Sequence, residues 1–276
     1  MNMESRQPDI GSDTSLHPVL FVGAGPGDPE LITVKGQKAL MAADVVIYAG
    51  SLVPEAILEW AGSETVRINS ASMHLDAIVE VINLHYAAGK KIVRLHTGDP
   101  SLYGAIFEQM AELQRKAIPF SVIPGVTAAF AAAAAMGLEY TLPEISQTLI
   151  LTRMAGRTPV PELESLQSLA NHRTSMVIYL SIAFTDKVAA VLARAYGEDA
   201  ACAVAFRVSQ PGEKLLYTTV KNLAATVKKE GIARQALIIV GKVLDVRLDS
   251  LKHKSKLYDS GFAHGFRPTL QQEQDE

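Results

Sequence analysis

Val19-Leu20-Phe21-Val22-Gly23-Ala24-Gly25-Pro26-Gly27-Asp28-Pro29 runs from an apolar segment through three closely spaced glycines into a helix start. Four large apolar residues in a row, closed by glycine, read as a strand buried on both faces. Asp28 followed by Pro29 is an N-cap and a first-turn proline, and the helix they open is expected to reach about Ala43. The alternation then repeats. Strands are expected at 45–48, 66–68, 92–95 and 120–123, with helices at 54–61, 75–88 and 102–117. In the 75–88 segment Leu75, Ile78, Val79, Ile82 and Tyr86 share one helical face. Strands alternating with helices indicate a parallel α/β sheet.

Past Pro124-Gly125 the pattern continues with wider spacing. Strands are expected at 148–152, 176–180, 202–208, 214–218 and 236–241, and helices near 128–136, 162–170, 185–195 and 223–229. Ser209-Gln210-Pro211-Gly212 is a turn between two strand runs, and such a hairpin makes this second sheet mixed rather than purely parallel. The expected organisation is α/β throughout: an N-terminal domain over 19–124, a C-terminal domain over 125–245, and polar, mobile tails at 1–18 and 246–276. The length, 276 residues, suits one large domain or two small ones.

Composition narrows the function classes. With 26 Lys+Arg against 29 Asp+Glu the net charge is −3, which provides no broad cationic surface for nucleic acid. Cys202 is the sole cysteine, which rules out an internal disulfide framework and any multi-cysteine metal site. Residues 1–18 lack the apolar core of a secretory signal. The uncharged stretch 117–138 holds Pro119, Pro124 and Gly125, which break a spanning helix, so it reads as strand, turn and buried helix. A soluble, cytoplasmic protein with no membrane contact is expected.

Three loops can carry chemistry. In Gly23-Ala24-Gly25-Pro26-Gly27-Asp28 the third glycine comes one place early for a dinucleotide fingerprint, and Asp28 stands at the helix start where a carboxylate would repel a pyrophosphate. No Gly-Lys-Ser/Thr follows, so it is not a P-loop either; a tight turn capped by Asp28 explains the same residues. The second loop, Thr97-Gly98-Asp99-Pro100-Ser101-Leu102-Tyr103-Gly104, lies at the carboxyl end of an expected parallel strand, where ligands of open α/β sheets gather. Asp99 can accept hydrogen bonds from an ammonium or sugar hydroxyls, or simply cap a helix beginning near Leu102. In the third, Ile123-Pro124-Gly125-Val126-Thr127-Ala128, Thr127 opens an alanine-rich helix that permits close packing.

Together with Ala236-Leu-Ile-Ile-Val-Gly241, these three motifs resemble the tetrapyrrole methylase family, over about 19–243. Tyr48-Ala-Gly-Ser-Leu-Val53, Asn69-Ser-Ala-Ser-Met-His74 and the Ser-Leu-Tyr form of the second loop are similar to the branch that methylates precorrin-4 at C11 in cobalamin biosynthesis. Thr97 and Ser101 depart from the uroporphyrinogen-III branch, which has Gly-Gly-Asp-Pro-Phe there. The resemblance implies two α/β domains of the class III methyltransferase kind, a cleft for S-adenosylmethionine between them, a tetrapyrrole substrate and a homodimer. It implies cofactor contacts at Pro26, Thr97, Gly98, Asp99, Leu102, Thr127, Ala128 and Leu180.

Methyl transfer to an electron-rich ring carbon needs alignment and exclusion of water, and calls for no metal and no side-chain nucleophile. Cys202 then reads as a buried strand residue. A macrocycle bearing many carboxylates calls for cations, and Arg67, His74, Arg153, Arg157 and Arg207 are the candidates, Arg67, Arg153 and Arg207 first among them. His74 could take a proton and Tyr103 could position substrate; no residue is singled out as general base.

Overall fold

The computed structural model describes residues 17–252 and 255–267. They fall into two compact units: one through Ala135 together with Arg207–Glu213, the other covering Met136–Phe206 and the chain from Lys214 onward.

The first unit is built on β1 (Val19–Gly23), β2 (Val45–Tyr48), β3 (Val66–Asn69), β4 (Ile92–His96) and β5 (Phe120–Ile123), in the order β3-β2-β4-β1-β5 and parallel throughout. The chain leaves β1 toward one edge through α1 (Val34–Met41) and leaves β4 toward the other through α3 (Ile106–Arg115). Leu40 of α1 packs with Val22, Val93 and Leu95. Leu113 of α3 packs with Phe21, Ile47, Ile92 and Ile82 of α2 (Leu75–Ala87) on the opposite face. The strand order therefore reverses between β1 and β4. Loops diverging from such a point leave a crevice at the carboxyl edge of the sheet.

The helix expected from Asp28 to Ala43 is split. Asp28 Oδ1 accepts the Glu30 N–H at 2.9 Å, but this supports only a 3-10 turn over Pro29–Leu31. The chain turns extended at Ile32, and Thr33 caps α1 afresh by accepting the Gly36 N–H. The helix expected from 102 starts at Ile106 instead. Tyr103 and Ala105 hold left-handed φ values of 59° and 48°, which no right-handed helix can absorb. The segment 54–61 is a 3-10 helix over Glu55–Trp60, and 162–170 is divided by Ser165, which caps α5 (Leu166–Ala170).

Strand β4 carries two polar residues on the α2–α3 face. The buried Arg94 guanidinium donates from Nε to Gln109 Oε1 at 3.0 Å and from an η nitrogen to the Ile47 carbonyl at 3.2 Å, so its partners are neutral. Burial lowers its pKa to about 10. His96 stacks on Phe21 with ring centroids 5.9 Å apart, and its Nε2 is buried with no partner among the described residues. Burial first, and then the Arg94 charge, push its pKa down to about 3.

The second unit forms the sheet β6-β7-β10-β8-β9, from β6 (Leu149–Arg153), β7 (Ser175–Tyr179), β8 (Ala201–Phe206), β9 (Lys214–Thr219) and β10 (Ala236–Val240). Only β6 and β7 are parallel, so the sheet is mixed as expected. Leu166 and Ala170 of α5, Val188 and Leu192 of α6 (Thr185–Tyr196), and Leu223 and Val227 of α7 (Leu223–Lys229) pack with Met176, Ile178, Val204 and Ile238 on one face. Cys202 is buried in β8, and desolvation pushes its thiol up to about 12.

The expected break at 124/125 lies inside the first unit, because α4 (Ala128–Met136) belongs almost wholly to it and Gly125 is packed among its loops. The expected N-terminal tail falls outside the described residues except for 17 and 18. Part of the expected C-terminal tail is ordered into short turns at Leu248–Ser250 and Lys256–Tyr258. There the Arg267 guanidinium gathers the carbonyls of Leu257, Asp259 and Phe262. Among the described residues no helix is long and apolar enough to cross a membrane.

The depressed pKa of His96 sets a pH dependence. In the unfolded chain this imidazole takes a proton near pH 6.5, in the folded one only near pH 3, so the unfolded state binds the extra proton across that window. Stability is therefore lost as pH falls below about 6.5, with a slope approaching about 1.4 kcal/mol per pH unit. Urea unfolding between pH 6.5 and 5 should show this slope in the native protein and a flatter profile in His96→Gln; identical slopes would contradict it.

Candidate active site

The loops leaving β1, β4 and β5 meet where the bare α-carbons of Gly23 and Gly125 close on the Gly98 carbonyl. A Cβ on Gly23 would lie 2.6 Å from the Gly125 Cα and 2.7 Å from the Gly98 carbonyl oxygen. One on Gly125 would lie 2.2 Å from that oxygen and 2.8 Å from the Gly23 Cα. No side chain fits at either position, which is why the sequence carries glycine there. The first two loops also pair as a short antiparallel bridge, with Gly25 N–H to Gly98 O at 3.2 Å and Gly98 N–H to Gly25 O at 2.7 Å. Ala24 N–H donates to the His96 carbonyl just below.

Asp99 ties the second loop to the third. Its Oδ2 accepts the Gly125 N–H and its Oδ1 the Ser101 N–H, both at 2.8 Å. It thus caps no helix at Leu102; each oxygen keeps a second lone pair for another donor. From the α1 side Thr33 Oγ1 donates to the Pro124 carbonyl at 3.3 Å. Gly98, with φ 62°, has an open face: an added Cβ would meet nothing nearer than the Thr127 Cα at 3.9 Å. That bare backbone, bordered by Thr127 and Asp99, is where a ligand can lie against the main chain.

Of the residues singled out in the sequence, Pro26, Thr97, Gly98, Asp99, Leu102, Thr127 and Ala128 all sit on these three loops or at the start of α4. Leu180 belongs to the second unit. It directly follows β7, 66% exposed and in a left-handed conformation with φ 52°. Tyr103 is exposed on its strained turn. His74 caps α2, its Nδ1 accepting the Ala77 N–H at 3.4 Å. Arg67 lies within β3 and reaches the Ala61 carbonyl. The Arg153 guanidinium draws in its own loop through the carbonyls of Thr158 and Pro159. Arg207 is left-handed, φ 48°, with a buried Nε that has no partner among the described residues.

Sequence reasoning missed the support beneath the loops: Arg94, Gln109 and His96 under the second, and Ser209 and Gln210 beside the first. The signal for the former was an Arg and a His at alternate places of a strand that is otherwise apolar.

The sequence profile of the Tetrapyrrole (Corrin/Porphyrin) Methylases matches residues 18–224. The chain belongs to that family. It is 51% identical to the cobalt-precorrin-4 C(11)-methyltransferase of Methanocaldococcus jannaschii, over 90% of this chain and 95% of that one. It is 46% identical to the precorrin-4 C(11)-methyltransferase of Pseudomonas aeruginosa, over 91% and 98%. Among solved structures it is similar to a cobalt precorrin-4 methyltransferase of cobalamin biosynthesis, with TM-score 0.81 and 45% identity, covering 83% of this chain and 96% of that one. It also resembles a uroporphyrin-III C-methyltransferase from Thermus thermophilus complexed with S-adenosylhomocysteine, with TM-score 0.67 and 29% identity over 82% and 93%. These relatives place this methylase among the C-methyltransferases of cobalamin biosynthesis.

The junction gives a direct test. Gly125→Ala forces backbone against backbone and should destabilise this methylase by about 1–3 kcal/mol, the usual cost of overpacking. Asp99→Asn loses a charge-assisted acceptor, which is worth about 1.5–3 kcal/mol. Urea unfolding of each variant checks both, and native-like midpoints would contradict the junction.

Proposed function

We propose that the chain transfers a methyl group from S-adenosylmethionine to C11 of precorrin-4, as the cobalt-bearing or the metal-free macrocycle. The observation that carries the reading is the open backbone at Gly98, framed by Asp99 and Thr127 at the β1–β4 crevice. The names of the relatives, one acting on the cobalt form and one on the form without it, supply the acceptor. S-adenosylmethionine, when bound, supplies an electrophilic methyl group.

The remaining work falls to the chain. Gly98 lets the ligand approach the main chain, and Asp99 offers its free lone pairs to an ammonium or hydroxyls. Pro26, Leu102 and Ala128 provide apolar contact that keeps water out, and Thr97 and Thr127 border the same backbone; Leu180, on the second unit, remains a proposal as a cofactor contact. Fixing both reactants in near-attack geometry can remove about 7–11 kcal/mol of barrier. Arg67, Arg153 and Arg207 are proposed for substrate carboxylates. Arg207 is the strongest of the three, since Arg153 is already engaged by its own loop. His74 and Tyr103 remain proposals for handling the proton and positioning the substrate. The reaction calls on no metal held by the protein; cobalt enters with the substrate. The reading includes a homodimer working in the cytoplasm.

Incubation of the purified protein with isotopically labelled S-adenosylmethionine and each form of precorrin-4 tests this. Mass spectrometry should show one added methyl, and NMR should place it at C11. Absence of transfer to both forms, or a label on another carbon, would overturn the assignment.

A further inference from the structure

The turn Arg207–Glu213 joins β8 to β9, two strands of the second sheet, yet it clusters with the first unit. Its side chains explain why. Gln210 Nε2 donates to the Pro26 carbonyl at 2.8 Å, and Ser209 Oγ accepts the Asp28 N–H at 3.1 Å. Between those two bonds lies Gly27, with φ 154°, where an added Cβ would meet Gln210 Cγ at 2.1 Å. The missing side chain at 27 is thus the space that the Gln210 stem occupies.

The turn is built to present these groups. Arg207 and Ser209 both hold left-handed backbone, φ 48° and 60°, a conformation that costs energy for residues with a Cβ. Glu213 helps to retain it by accepting the Ser209 N–H at 2.6 Å, and Gln210 N–H closes onto the Arg207 carbonyl at 2.9 Å. The first glycine loop is therefore held from two sides. Ala24 and Gly25 are bonded to the His96 and Gly98 carbonyls, while Pro26 and Asp28 are bonded to the turn.

We propose that the turn Arg207–Glu213 is a clamp that sets Pro26 and Gly27 for cofactor binding, with Gln210 and Ser209 as its positioning residues. They act through the loop and need not touch the cofactor. The proposal rests on the methylase reading given above. Removing the Gln210 amide leaves the β8–β9 ladder that carries the turn in place, so its loss acts on the glycine loop.

The test is calorimetric titration with S-adenosylhomocysteine, together with steady-state kinetics and urea unfolding. Gln210→Ala should weaken S-adenosylhomocysteine binding about 3- to 10-fold, the range set by one lost neutral hydrogen bond. KM for S-adenosylmethionine should rise in step, with kcat at saturation and KM for the tetrapyrrole unchanged; a merely structural role would lower the unfolding midpoint and leave KM unmoved. Gln210→Glu keeps the size but removes the donor, so it should weaken binding at least as much. Gly27→Ala should cost less in the Gln210→Ala background than in the native one, since the backbone strain is common to both and only the clash is relieved. Should Gln210→Ala not fold, Ser209→Ala gives the same readout at a single acceptor. Native affinity in the folded Gln210 and Ser209 variants, or equal costs of Gly27→Ala in both backgrounds, overturns the clamp alone. A native protein that does not bind S-adenosylhomocysteine overturns the clamp and the methylase reading together.

Discussion

The first unit depends on one close approach, that of the Gly23 and Gly125 α-carbons to each other and to the Gly98 carbonyl. Parallel strands deliver their carboxyl ends to a common edge, but they do not by themselves bring three loops into contact. Removing the side chains at this junction does, and the carboxylate of Asp99 then fixes the second loop to the third through Gly125. What results is a platform of main chain rather than of side chains. Its shape is set by backbone contacts that cannot rotate away, as a site that must align two reactants requires.

Beneath the platform lies an unusual piece of electrostatics. Arg94 is buried and bonded to neutral acceptors, and His96 beside it is held neutral by burial and by that guanidinium. Burying charge without a counter-charge is costly, so this arrangement is retained at some expense of stability. Both residues stand on β4, the strand that ends in the Gly98–Asp99 loop.

Strands and loops were far more legible in the sequence than helix limits. β1 and β2 fall where their apolar runs lie, since buried central strands have little else to encode, and the edge strand β5 also falls at its expected place. The mixed second sheet followed from the turn at 209–212. Helix limits failed where a polar side chain serves two elements. Thr33 reads as one more helical residue, yet it caps α1 and reaches Pro124. Gly104 gave no warning that its neighbours Tyr103 and Ala105 turn left-handed. Pro124-Gly125 looks like a linker because proline and glycine usually mark one; here the glycine is demanded by contact. Residues 207–213 could not be assigned to the first unit from sequence, because bonds such as Gln210 to Pro26 span most of the chain and leave no local pattern.

A crystal structure of the protein grown with S-adenosylhomocysteine should show the ligand against the bare main chain of Gly98. It should lie within hydrogen-bond reach of the Asp99 carboxylate or its backbone, with the Gly23–Gly98–Gly125 contact unchanged. Ligand density away from these loops, or a junction that opens to admit the ligand, would contradict this.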